Sequence, residues 1–288
     1  MLREFFRFLV HNKPIFTPII RYNASNIGSL MGVNELKREV PIVVSLTSNE
    51  KNFSGLELTL YSLCKQEVCP DRIIVWLSDE FELSDLPYSL TRFIKNGVEF
   101  RFVKDKDSYT DFIYALREFG NSIIVLAKDD VYYPKNWLKK LYHSYISKPK
   151  DIHVHLANRV KYGNKKVYPY KQWDNYIGEE NASYRNFSIA SGGILFPPHC
   201  FSNEIFREDI YKKKVKAEPE VWYWVMALVS DRKIRVVKNH ISNFSSTSFI
   251  RKLNQVFNNS NQTSLIDLQI EKLMTYYKNN LIQKLNEK

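Results

Sequence analysis

The sequence is short of cysteine and glycine. Its three cysteines, Cys64, Cys69 and Cys200, are too few for a disulfide framework, and no CxxC pair suggests a thiolate metal site. A reducing compartment is therefore expected. Only 9 glycines occur in 288 residues, and none falls in a GxGxxG or GxxxxGK[ST] arrangement. That argues against Rossmann-type dinucleotide binding and against a P-loop. GxSxG is also missing, which excludes a nucleophile elbow. The longest apolar run, VWYWVMALV at residues 221–229, is about half of the roughly 20 residues that a bilayer span needs. The opening MLREFFRFLVHNKPIF carries an early acid and too short an apolar stretch for a secretory signal. These features read as a cytoplasmic protein, soluble or peripheral to a membrane.

Acidic charge is scarce as well. There are 31 Asp and Glu against 42 Lys and Arg, a net charge of +11. The imbalance is concentrated, because residues 128–171 hold eleven Lys and Arg against Asp129, Asp130 and Asp151. A basic face attracts polyanions, whether nucleic acid, anionic lipid or phosphorylated substrate, and charge alone does not choose between them. No nucleic-acid recognition motif is present, so nucleic acid is not an expected partner. Aromatic residues, 14% of the chain, suit carbohydrate or nucleotide surfaces as a set, while each one singly is expected in the core or as a surface tyrosine.

Three regions are expected: a peripheral segment at 1–39, an α/β domain at 40–245 and a helical extension at 246–288. In the first, Leu2, Phe5, Phe6 and Leu9 recur at helical spacing with Arg3 and Arg7 between them. Such a helix packs on the domain body or lies on an anionic membrane surface. In the second, PIVVSLTS, DRIIVWLSD, VEFRFVKD and NSIIVLAKDD read as strands, and LELTLYSLCKQ and YTDFIYALREF as the helices among them. This alternation predicts a mostly parallel central sheet flanked by helices. NWLKKLYHSY is expected to be a helix and DIHVHLANRV one extended strand. In the third, Ile266, Ile270, Leu273, Tyr277, Leu281 and Leu285 form one helical stripe suited to docking on the domain.

Parallel sheets bind ligands beyond the carboxyl ends of their strands. The polar tails there are Ser45, Thr47 and Ser48, then Ser78 and Asp79, Asp105 and Asp107, and finally Asp129 and Asp130. The last pair lies in AKDDVYYP. In an extended chain residues i and i+2 share a face, so Lys128 and Asp130 would point together. A D-x-D pair would hold a hard divalent ion through its oxygens. Here lysine takes the first place, a point charge that itself binds phosphate or pairs with Asp130. His153 and His155 have the spacing of one strand face but no third ligand nearby, which favours structural roles over zinc.

Taken in order, VVSLTS, RIIVWLSDE, DSYTDFIYAL, IIVLAKDDVYYPKNWLKKLYHSY, HVHLANRV, SGGILFPP and VWYWVMAL resemble bacterial glycosyltransferases of the GT-A type related to family 2, over residues 41–243. Related sequences usually read ADDD-I-YP where this one reads AKDDVYYP, and ADDIW where it reads EPEVW. The resemblance implies a single GT-A-like domain. It also implies sugar transfer from a nucleotide-sugar, with inversion, to a surface-glycan acceptor such as lipopolysaccharide or capsule, at the inner membrane. It places Mn or Mg at Asp130 and Asp129, while Lys128 at the first acidic position leaves metal dependence open. It makes Glu220 the general base, with Glu218 as the neighbouring alternative. Ser45, Thr47, Asp79, Lys128, Asp129, Gly192 and Gly193 fall on donor-binding positions. Because Lys128 and Pro219–Glu220 depart from the pattern at both chemical positions, an inactive glycan-binding or scaffold relative is the alternative.

Overall fold

The computed structural model describes residues 30–36, 38–104, 109–178, 181–215, 218–247 and 249–287, with 249–264 described by backbone only. The segment around Leu2–Leu9 and the acids Asp105 and Asp107 lie outside the described residues.

Seven strands build the central sheet. They are β1 (Ile42–Thr47), β2 (Arg72–Ser78), β3 (Val98–Val103), β4 (Ile123–Leu126), β6 (Ile152–Val154), β11 (Ile194–Phe196) and β12 (Ile234–Val236), in the order β12-β6-β11-β4-β1-β2-β3. Only β11 runs antiparallel, between β4 and β6. Three two-stranded ribbons complete the strands: β5 (Val131–Tyr132) with β13 (Ser245–Ser246), β7 (Ala157–Arg159) with β10 (Asn186–Ser188), and β8 (Tyr162–Gly163) with β9 (Lys166–Val167). The helices used below are α1 (Phe53–Leu63), α2 (Thr110–Phe119), α3 (Trp137–Ser147), α4 (Glu208–Lys214), α5 (Pro219–Val229) and α6 (Phe249–Asn286). Among the described residues no helix is long and apolar enough to cross a membrane.

The expected mixed α/β architecture is present, and the strand sequences explain it. In β1 and β4 nearly every residue is buried, because successive side chains point to opposite faces and helices cover both. Ile42, Val44, Leu46, Ile123 and Val125 pack with Leu56 and Leu60 of α1 and with Trp137 and Leu141 of α3. Ile124 and Leu126 face the other way, into a core with Phe112 of α2 and Trp222–Leu228 of α5. The stripe of Ile266, Ile270, Leu273, Leu281 and Leu285 on α6 enters that second core. At Tyr277 α6 departs from helical geometry (φ −111, ψ 20).

The single strand expected over residues 151–160 breaks in two. After Val154 the chain leaves the sheet: Ile189 N–H donates to Leu156 O, and β7 pairs with β10 instead. Periodicity cannot show such a change of partner, since β6 and β7 keep the same extended pattern.

The strand order fixes where a ligand can enter. Chain connections run from β1 through β2 to β3 on one side, and β4 then returns to the other side of β1. Between β1 and β4 the winding reverses, and open α/β sheets bind ligands in the crevice this leaves at the carboxyl ends. The loops that follow these two strands are residues 48–52 and 127–130.

Both histidines are structural. His153 Nδ1 lies 2.8 Å from Ser144 Oγ, and its Nε2 lies 3.0 Å from Lys148 O. Ile241 N–H donates to His155 Nδ1 (3.1 Å), so the His155 proton sits on Nε2 and goes to Trp137 O (3.1 Å). Burial, the largest cause, lowers both rings from 6.5 to about 4, so both fold neutral. The folded-state pKa is depressed, so the unfolded chain binds protons first as the pH falls. Stability is therefore expected to be intact above pH 6.5 and to decline towards pH 4. The loss should approach roughly 3 kcal/mol per ring. Urea unfolding across this range checks it, and His155→Gln should show a shallower slope.

Candidate functional site

The crevice is built around one aspartate. Asp129, buried at the end of β4, accepts a hydrogen bond at Oδ2 from Ser48 Oγ (2.6 Å). Its carbonyl accepts from Asn52 Nδ2 and from Thr59 Oγ1, each at 3.0 Å. The loop after β1 and helix α1 thus clamp the loop after β4. On either side of the clamp, Lys128 N–H donates to Tyr133 OH (2.8 Å), and Asp130 O accepts from Thr247 N–H (2.8 Å). Tyr133 is itself fixed by ring packing on Trp137, 4.2 Å between centroids.

Around this frame the charges converge. Glu220 stands in the first turn of α5, after Pro219 at the first helical position, and its Oε1 lies 3.9 Å from Lys128 Nζ. Burial works against the Lys128 charge, but Glu220, Asp111, Asp130 and Asp129 outweigh it and hold the ammonium above the ordinary lysine range. Asp111, in the first turn of α2, behaves oppositely. Burial raises its carboxyl to about 7, with Lys128 lowering it and Glu220 raising it further. Its buried Oδ1 has no hydrogen-bond partner among the described residues. The Tyr223 hydroxyl, one turn beyond Glu220, is buried and equally without one.

The expected site residues separate into groups. Lys128, Asp129, Asp130 and Glu220 are brought together. Ser45 lies beside them but is committed inward: it accepts from Trp76 Nε1 (2.8 Å) and donates to Asp111 O (2.5 Å), tying β1 to α2. Thr47 presents a buried hydroxyl with no partner among the described residues. Asp79 is exposed past the end of β2, two strands from β4. Glu218, the residue before α5, acts with Glu220 on Tyr170, whose phenol is pushed up to about 12, chiefly by burial. Glu220 is ion-paired with Lys128 at the β4 strand end.

Gly192 and Gly193 open β11. The close approach they permit in this structure is to the protein itself. A Cβ on Gly192 would stand 2.8 Å from Leu156 Cγ, and one on Gly193 would stand 2.5 Å from Trp137 Cζ2. Trp137 Nε1 donates to Gly192 O at 2.8 Å.

Asp111 escaped the sequence reading, although it lies within the motif YTDFIYAL. The available signal was positional: an acid in the first turn of a helix that follows β3 sits at the same sheet end as the other polar tails. As for a metal, no three His, Cys, Asp or Glu side chains among the described residues are placed to hold an ion. The Mn or Mg implied by the resemblance finds no ligand set, and the charge that faces these carboxylates is the Lys128 ammonium.

No known family's sequence profile matches the chain, and no curated protein matches it. Solved structures similar to it include residues 1–349 of TarS from S. aureus, 13% identical over 72% of this chain and 59% of that one, with a TM-score of 0.44. Another is GalNAc-T7 crystallised with UDP, GalNAc and Mn2+, 13% identical over 77% of this chain and 50% of that one, TM-score 0.47. HddC from Yersinia pseudotuberculosis is 16% identical over 55% of this chain and 77% of its own, TM-score 0.33. The chain thus spans 59% of the first and 50% of the second. These likenesses are partial and distant.

Gly193 has φ +82, a left-handed conformation in which a side chain is strained, besides its contact with Trp137. Gly193→Ala is expected to cost about 2 kcal/mol or more in denaturant unfolding, because strain and overpacking add. Gly163→Ala, which meets only the Tyr168 ring at 3.3 Å, should cost less.

Proposed function

We propose that the chain is a GT-A-type glycosyltransferase. It moves a sugar from a nucleotide-sugar to a glycan or glycolipid acceptor of the bacterial surface, of lipopolysaccharide or capsule type, with inversion. The observation that carries this reading is the position of Glu220, on a helix opposite the end of β4 and 3.9 Å from Lys128, at the crevice where the sheet reverses its winding. A donor lying along the ends of β1 and β4 meets Thr47, Lys128, Asp129 and Asp130. An acceptor entering over α5 meets Glu220 from the other side.

In the reaction the acceptor hydroxyl attacks the anomeric carbon, the bond to the nucleotide phosphate breaks, and the hydroxyl proton passes to the Glu220 carboxylate. Lys128, paired with that carboxylate, meets the negative charge that develops on the leaving phosphate. The lysines and arginines of residues 128–171 suit an anionic acceptor or the anionic face of the inner membrane.

The same ion pair supports the alternative of an inactive glycan-binding relative, since the carboxylate that would accept the proton already has an ammonium partner. Transfer assays across UDP-, GDP- and CMP-sugars, with and without Mn2+, separate the two. Glu220→Gln is expected to lower transfer by about 10²–10⁴-fold while nucleotide binding persists. Asp130→Ala should abolish transfer. Binding without turnover, indifferent to Glu220→Gln, would establish the alternative. Absence of both nucleotide binding and turnover would overturn the transferase reading.

A further inference from the structure

Outside the crevice, a groove of about 630 Å3 runs between the β8–β9 hairpin and α6. Asp267, Ile270, Glu271, Met274, Thr275 and Lys278 line its helix side, spaced as one stripe over three turns. At 1.5 Å per residue that wall is roughly 16 Å long. Lys165, Lys166, Val167 and Tyr168 line the hairpin side. Asn164 and Lys165 turn the hairpin with φ 51 and 59, and Tyr168 N–H donates to Lys161 O (2.9 Å). The Tyr168 ring is seated against Gly163, where a Cβ would stand 3.3 Å away, and the Lys161 ammonium lies 5.4 Å from its centroid. One end of the groove joins the candidate site. Tyr170 N–H donates to Asp267 Oδ1 (2.7 Å), and two residues further along α6 the Gln269 Oε1 accepts from Glu218 N–H (3.4 Å). Glu220 follows in the first turn of α5, so the groove starts beside the helix end that carries it.

We propose that this groove is the acceptor subsite and takes an anionic glycan of several sugars. Its role as acceptor subsite rests on the transferase reading, whereas the binding itself does not. A sugar ring has an apolar C–H face and a rim of hydroxyls. Tyr168, Val167, Ile270 and Met274 offer apolar surface, and the face of an aromatic ring attracts C–H groups. Glu271 and Thr275 offer acceptors and a donor to the hydroxyls. Lys165, Lys166 and Lys278 form no ion pair among the described residues, while the Asp267 carboxylate is engaged by Tyr170 N–H. The uncommitted charge of the groove is therefore cationic on balance, which suits phosphate or carboxylate groups carried by the glycan. Its volume falls among sites of about 300–1,000 Å3 that enclose drug-sized ligands, more than a single sugar fills.

The test is calorimetric titration of the full-length protein, without donor, with oligogalacturonate and phosphorylated pentamannose, and with maltopentaose as the neutral control. An anionic chain should bind about tenfold more tightly than maltopentaose. Lys166→Glu combined with Lys278→Glu, both at exposed positions, should remove that preference without lowering the unfolding temperature. Tyr168→Ala should weaken anionic and neutral chains alike, and Tyr168→Phe, which keeps the ring, should restore them. Failure of both anionic chains to bind overturns the proposal, as does binding that neither the lysine pair nor Tyr168→Ala changes. Retention on phosphatidylglycerol vesicles that the lysine pair abolishes, with no glycan bound, assigns the groove to a membrane surface and overturns it too. Glycan binding without any sugar transfer would keep the groove and remove the transferase reading. Transfer by a chain whose groove binds no glycan would do the reverse.

Discussion

The hydrogen bond from Ser48 to Asp129 is the constraint on which the crevice depends. It joins the loops that follow β1 and β4, the two strands between which the sheet reverses direction. Asn52 and Thr59 reinforce it through the Asp129 carbonyl, so both the side chain and the backbone of one residue are held. A buried carboxylate is costly unless its oxygens find donors, and Ser48 supplies one to Oδ2 here. With Asp129 fixed, its neighbours have little freedom. Lys128 is turned towards Glu220 of α5, and the Asp130 carbonyl is taken by Thr247 N–H.

The remaining charges follow from helix placement. Glu220 and Asp111 each lie in the first turn of their helix, where backbone amides favour an anion. Both helices cover the same face of the sheet, so their amino ends meet over one strand end. Ser45 secures that meeting by hydrogen bonding to the Asp111 carbonyl on one side and Trp76 on the other. Site and core are thus joined: the Ser45 that seals β1 against α2 also sets the backbone from which Asp111 projects.

Much of this was legible in the sequence, and the reason is periodicity. Runs such as IVVSLT and RIIVWLS have few alternatives to a buried strand, and TDFIYALREF shows an apolar stripe at helical spacing. The polar residues after β1 and β4 stood out for the same reason, as breaks in apolar runs. What stayed hidden depends on pairing across long separations. Nothing local marks β11 as the antiparallel strand, or tells that residues 152–159 divide between two sheets. Asp111 was hidden because an acid near a helix start is ordinary, and only the fold brings it to Lys128. For Gly192 and Gly193 the spacing could not say whether a ligand or the Trp137 ring fills the space beside them.

One further feature bears on how the site comes into being. The loop after β4 is finished by residues more than a hundred positions later: Ser245 and Ser246 pair with Tyr132 and Val131, and Thr247 donates to the Asp130 carbonyl. Glu220 also arrives long after Lys128. During synthesis the β1–β4 half of the sheet can collapse early on local contacts, while Asp129 and Lys128 wait without several of their partners. The crevice is therefore closed by partners that lie far along the chain from β4, and it is among the last parts of the fold to be completed.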